Sequence, residues 1–338
     1  MDFARRSLYI ARYTFADFFD RTFKMIGHTA RTTFLVSFPP YVVIAALGTA
    51  EFVRLVHAAI PFANELDGPI EAAQLGPLIG PALWLLLLSL LSAAIGMFIS
   101  AAVTLHVAQV STGRIRGSIA DIVASTWLRY FRRILLQGLL KSVIFAGIFF
   151  VGFAPVVLFV VLASSTVNPP VIWFLIAAVA YFATIILLTW IAVLLALSSQ
   201  AVVFDAESVF GSLHRSAHLV SGNFWRLFGT ILLSHIIFSF SIGLVTYPII
   251  GGAMMSHATD LNAATNGYSG IIQLTLRMLS EAGPAYAIAG VIQAVLYQLF
   301  FPVLWSLFYI DLKVRKRDFA TRRLRSRFSI RRFTKSVD

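Results

Sequence analysis

His214 and His218 stand four residues apart in the run FDAESVFGSLHRSAHLVSGNFWRLFGTILL. On a helix that spacing puts two imidazoles on one face, where they can share a zinc ion. The segment between them reads HRSAH and lacks the glutamate beside the first histidine that zinc hydrolases use as a base. No phosphate-binding glycine loop, dinucleotide fingerprint or serine elbow occurs elsewhere, and the absence of cysteine excludes thiolate metal sites, disulfides and cysteine nucleophiles. The expectation is therefore no catalytic set, no metal and no cofactor. The two histidines read as the wet face of a surface helix.

The polar residues left at depth are His106, Gln137, Lys141, His235, Gln293, Tyr297 and Gln298. In a bilayer such groups are candidates for function, with hydrogen bonding between helices as the plainer alternative. Gln137 and Lys141 share a face, and the lysine is expected to snorkel toward a membrane surface. Glu51 is the one carboxylate expected inside a span, which gives little support to a proton relay of the acidic type.

The elements that carry these residues follow from composition. Of 338 residues 59% are hydrophobic and 12% charged, and the mean hydropathy is +0.84. Those values lie outside the soluble range. Six apolar runs are long enough to cross a bilayer, near Thr33–Val56, Ala82–Val107, Ile134–Ala163, Val171–Val203, Leu227–Met254 and Ala285–Ile310. They lack the alternation of barrel strands, so the fold class is all-α and polytopic. No cleavable signal peptide is visible, and the first run reads as an uncleaved insertion signal.

Orientation follows from the basic residues. Arg5, Arg6, Arg12, Arg21, Lys24 and Arg31 precede the first run, and Arg114, Arg116, Arg129, Arg132 and Arg133 lie between the second and third. The alternate loops are acidic or nearly uncharged, which places both termini in the cytoplasm by the positive-inside rule. The net charge of +12 is thereby mostly topology, and DNA is not an expected partner.

Ala206, Val209, Phe210, Leu213, Ala217 and Val220 follow a 3.6-residue period, as an amphipathic helix does; Asp205 or Ser208 suits its start and Gly222 the position past its end. A second copy, GSIADIVASTWLRYFRRILLQ, aligns Tyr130-Phe131-Arg132 with Phe224-Trp225-Arg226, and the N-terminal FADFFDRTFKMIGHTARTTFL is a weaker third. The chain reads as three repeats of an interfacial helix and a two-span hairpin, about 1–110, 111–203 and 204–312, within one domain 1–312. The basic tail 313–338 follows. Between the last two runs, residues 271–279 are too short to span and suggest a helix on the opposite face.

Ser92, Gly96 and Ser100 form a small-residue ladder suited to close helix packing. Pro39, Pro40, Pro155, Pro248 and Pro302 interrupt four of the runs, the best sequence argument for a transport path. In the tail, Lys313, Arg315, Lys316, Arg317, Arg322, Arg323, Arg325, Arg327, Arg331 and Arg332 interleave with aromatic and aliphatic residues. Each cation near an anionic leaflet contributes about 1 kcal/mol, so anionic lipid is the expected contact, with RNA or an acidic protein second.

Asp205, Glu207, Ser212, Leu213, Arg215, Ser216, Leu219, Gly222, Phe224, Trp225 and Arg226 occur in the order of a motif in bacterial six-span proteins. The chain thus resembles the "glycerophosphoryl diester phosphodiesterase membrane domain" family of inner-membrane proteins. That name derives from fusions in which a separate soluble domain does the hydrolysis; this chain has no room for one outside its spans. The resemblance implies a membrane module of unknown activity, not a hydrolase.

The functional expectation is a non-enzymatic component of the bacterial cytoplasmic membrane that scaffolds, or assembles with, a partner or lipids, as a homo-oligomer or a subunit of a complex. A transporter or channel for a small or lipidic solute is the alternative, favoured if Gln293 and Gln298 line a through-going cavity. A lipid-active enzyme ranks third.

Overall fold

The structure is a computed structural model that describes residues 15–64, 72–113, 118–165, 171–255 and 267–334. Among them helix is the only regular structure. Long apolar runs have no water to satisfy their amides, so each closes its own backbone hydrogen bonds. The result is α1 (Phe15–Asn64), α2 (Ala72–Ser111), α3 (Ile119–Thr126), a π turn (Trp127–Phe131), α4 (Arg132–Ser165) and α5 (Val171–Leu194). After these come α6 (Ser198–Asp205), α7 (Val209–Val220), α8 (Phe224–Met255), α9 (Gly267–Glu281) and α10 (Gly283–Thr334).

Six helical segments are long and apolar enough to cross a membrane. Their large side chains face outward along much of their length, as at Trp84, Leu87, Phe150, Phe182, Ile186 and Phe240. In water that apolar perimeter would aggregate; in hydrocarbon it costs nothing. The chain is a multi-pass membrane protein.

Residues 1–25, 104–231 and 302–338 form one compact unit, and residues 26–103 and 232–301 a second. In the first, Phe18 packs on Phe308 with ring centroids 4.0 Å apart, among buried Val107, Val202, Leu219, Leu227, Leu304 and Leu312. In the second, Phe301 is buried against Phe238, Tyr297 and His235.

The prolines do not break the helices. Pro39 and Pro40 lie inside α1, Pro155 inside α4, Pro248 inside α8 and Pro302 inside α10. A transmembrane helix tolerates proline within a continuous helical backbone, and the Ser306 hydroxyl donates back one turn to the Pro302 carbonyl at 2.6 Å. The one break within an apolar run falls in the fourth, at residues 195–197, where there is no proline.

The junction helices also differ from three equal repeats. At the N-terminus α1 runs unbroken from Phe15, with no separate interfacial helix. In the middle copy Ser118 caps α3 in a capping box, its hydroxyl accepting from the Asp121 amide at 3.2 Å while the Asp121 carboxylate accepts from the Ser118 amide at 2.8 Å. That helix then enters α4 through the π turn, with Trp127 stacked on Phe131. Only the copy containing the two histidines stands apart from its span. Ser208 caps α7 by accepting from the Gly211 amide at 3.2 Å, and Gly222, at φ +87°, ends it. A positive φ of that size is open to glycine and strained for a residue with a Cβ, so this position fixes the turn into α8.

The segment 271–279 lies within α9, helical as expected. Glu65, Asp67, Glu71, Arg114 and Arg116 lie outside the described residues, as do the side chains of Arg317, Arg322, Arg323, Arg325, Arg327, Arg331 and Arg332. The backbone of α10 continues as one helix across residues 312 and 313.

Candidate functional site

The residues of the histidine-bearing motif meet the basic end of α10 in the first unit. Along α10, Tyr309, Lys313 and Lys316 recur at helical spacing on one face, and Asp311 and Arg315 on the next. Asp205, the last residue of α6, points at the first of these faces. Its carboxylate accepts from the Tyr309 hydroxyl at 2.7 Å and from the Lys313 ammonium, and lies 3.4 Å from Nε of Arg215 on α7. The Phe204 ring stacks on Tyr309 and fixes the phenol in place.

Asp311 forms the second centre. It is 3% exposed, lies 2.9 Å and 3.1 Å from Nε of Arg315 through its two oxygens, and is 3.2 Å from Arg226 at the start of α8. It is a buried carboxylate that the sequence reading did not single out. Asp311 falls one residue past the last apolar run, and its Asp311/Arg315 spacing of four was the available signal. Together Arg215, Arg226, Lys313, Arg315 and Lys316 outnumber the two carboxylates, so the cluster keeps a positive surplus.

The α7 helix faces inward with its serines. Ser212, Ser216, Leu219 and Val220 are buried, whereas Phe210 of the expected apolar stripe is 74% exposed. The reason lies in the break at 195–197. The Ser216 hydroxyl donates to the Leu194 carbonyl at 2.7 Å and accepts from the Leu197 amide at 3.1 Å, satisfying two backbone groups that the interruption leaves open. Lys141 serves the same region, donating to the Ser198 hydroxyl at 3.1 Å. It is turned into the protein rather than snorkelling outward. Gln137, one turn earlier, is fully buried.

Ala206 adopts a left-handed conformation, φ 54°, between α6 and α7, and its carbonyl accepts from Arg133 at 3.0 Å. Glu207 lies over the first turn of α7, where its carboxylate complements the helix dipole. Trp225 is 77% exposed beside Phe224 and Phe228, and Trp127 and Leu128 are likewise exposed at the π turn.

The histidines do not form a metal pair with a third ligand. Their rings lie 6.5 Å apart, and Nδ1 of His218 faces the Lys316 ammonium at 3.3 Å. Among the described residues no group of three or more His, Asp, Glu or Cys converges on a point. Lys316, then burial and the charge on Arg215, hold His218 below the usual imidazole range. Burial works against the charge of Arg215, but Tyr309 and Asp205 outweigh it and raise that guanidinium above its ordinary value.

The other polar candidates, His106 excepted, sit in the second unit. The buried Gln298 amide donates to the Tyr41 hydroxyl at 3.0 Å and to the Gly96 carbonyl at 3.2 Å. A Cβ at Gly96 would stand 3.1 Å from that hydroxyl, so the middle of the Ser92/Gly96/Ser100 ladder admits a neighbour from the same chain. His235 lies on Phe301. Gln293 is exposed, apart from Gln298. His106 is half-buried in the first unit.

The chain matches the family model of a domain of unknown function (DUF7847) over residues 35–309 and belongs to that family. No curated protein and no solved structure matches it.

Proposed function

We propose that this member of the DUF7847 family is a non-enzymatic component of the bacterial cytoplasmic membrane that assembles with anionic lipids or a partner protein, as a homo-oligomer or subunit of a complex. The observation that carries the reading is the motif's use. Its charged residues pin α6, α7, α8 and α10 together, while the surplus of cations and the exposed Phe210 and Trp225 flank the same helix ends. Cations beside exposed aromatic side chains suit the anionic surface of a leaflet. The basic residues of the inter-span segments and the tail support a cytoplasmic location for these ends. The motif order also supports kinship with the glycerophosphoryl diester phosphodiesterase membrane domain.

Passage of a small or lipidic solute loses two of its supports. The prolines lie within continuous helices, and Gln298 is engaged by Tyr41 and Gly96 while Gln293 faces outward. Purification in mild detergent followed by native mass spectrometry tests the assembly reading. A stable oligomer, complex or lipid-bearing particle is expected; a bare monomer that drives solute flux in proteoliposomes would overturn it.

A further inference from the structure

We propose that Arg215, His218 and Lys316 form a proton-linked receptor for a phosphodiester anion, free or as a lipid headgroup; the inference rests on the assembly reading above and assigns it a site. The geometry carries the argument. Nζ of Lys316 and Nδ1 of His218 stand 3.3 Å apart, so the ammonium donates to a neutral imidazole that accepts on Nδ1 and carries its proton on Nε2. When His218 takes a proton from solvent, Nδ1 becomes a donor and that bond is lost. Two cationic donors then stand side by side at the surface, with Arg215, about a third exposed, close enough for its charge to act on both. Asp205 is already shared among Tyr309, Lys313 and Arg215 and has no capacity to neutralise the new charge.

Among the described residues, the charged and titratable groups that act on His218 all oppose its protonation. They are His214 and Arg215 on α7 itself and Lys316 on α10. Arg133 of α4 is engaged at the Ala206 carbonyl, and α5 contributes no charged residue. An anion bound there reverses the sign of that environment. It accepts charge-assisted hydrogen bonds from the imidazolium, the ammonium and the guanidinium together. Proton and anion therefore each favour the other's binding, by the same factor.

The experiment uses the full chain in neutral phosphatidylcholine nanodiscs and reads the imidazole nitrogen shifts of His218 against pH, with His214 as reference. Dimethyl phosphate and phosphatidylglycerol are the probes, because a phosphodiester keeps one charge across the range and any pH dependence belongs to the protein. Added anion is expected to raise the His218 midpoint by about half a pH unit or more beyond any movement of His214, and binding to tighten about threefold or more from pH 7.5 to 5.5. Lys316→Gln is expected to raise the midpoint without anion and to reduce the anion-induced shift; His218→Gln is expected to abolish the pH dependence of binding. A response to dimethyl phosphate identifies a free-anion receptor, and a response to phosphatidylglycerol alone identifies the lipid. Equal movement of both histidines, or equal affinity at both pH values, overturns the proposal. Anionic lipid that co-purifies while His218 stays unmoved sinks this site and leaves the assembly reading intact; movement by dimethyl phosphate in a protein that purifies as a bare monomer and drives solute flux does the converse.

Discussion

The two units handle polarity in opposite ways. In the first, full charges are brought together: Asp205 and Asp311 hold four helices through Tyr309, Lys313, Arg215, Arg226 and Arg315. In the second, the bonds that join different helices are neutral: Gln298 binds Tyr41 and the Gly96 carbonyl, Thr33 and Thr246 donate back to their own helices, and the Glu51–Arg54 ion pair stays within α1 with Arg54 exposed. A neutral amide needs only one or two partners to sit in hydrocarbon, whereas a buried carboxylate needs an opposing charge and several donors. Ionic locking therefore belongs where helix ends supply cations, and neutral bonding suits apolar helix interiors.

The sharpest way to break that contrast is Asp311→Asn. Two guanidinium groups would lose the carboxylate they share, and a loss of about 3–5 kcal/mol is expected from removing one partner of a buried ion pair. Thermal unfolding in detergent measures it. Ser216→Ala comes next. It leaves the Leu194 carbonyl and Leu197 amide open, at about 1–3 kcal/mol, and hydrogen exchange at the Leu197 amide should speed up. In the second unit Gln298→Leu should cost only about 0.6–1.7 kcal/mol by the same unfolding assay. A loss equal to that of Asp311→Asn would erase the distinction between the units.

The smallest effect is the pH response of His218. Its folded pKa lies below the unfolded value of about 6.5, so without anion the folded state favours the neutral ring. The contact's contribution is fully present above about pH 6.5 and is lost as pH falls through the window below it. Melting temperature should fall slightly on acidification of wild-type protein, and less so in His218→Gln.

Much of the architecture was legible because apolar length alone specifies a membrane helix. The Ser208 cap and the Gly222 stop were readable for the same local reason, each depending on the backbone of one turn. The inward face of α7 was not. Its serines are buried because they satisfy a break 19 to 22 residues upstream, a requirement no helical period expresses. The prolines lie inside continuous helices, and the one break in an apolar run falls where the sequence has no proline to announce it. Asp205, Arg215 and Arg226 were visible as a motif, but their partners Tyr309 and Asp311 lie roughly a hundred residues away, joined only by folding.

That distance sets an order on biogenesis. Asp205, Arg215 and Arg226 leave the ribosome well before residues 309–316, so Asp205 lacks Tyr309 and Lys313, and Arg226 lacks Asp311, until α10 is inserted. That helix is the keystone of the first unit. A nascent chain truncated near Trp305 would possess nearly every span and still lack both of the counterparts that close this end of the molecule.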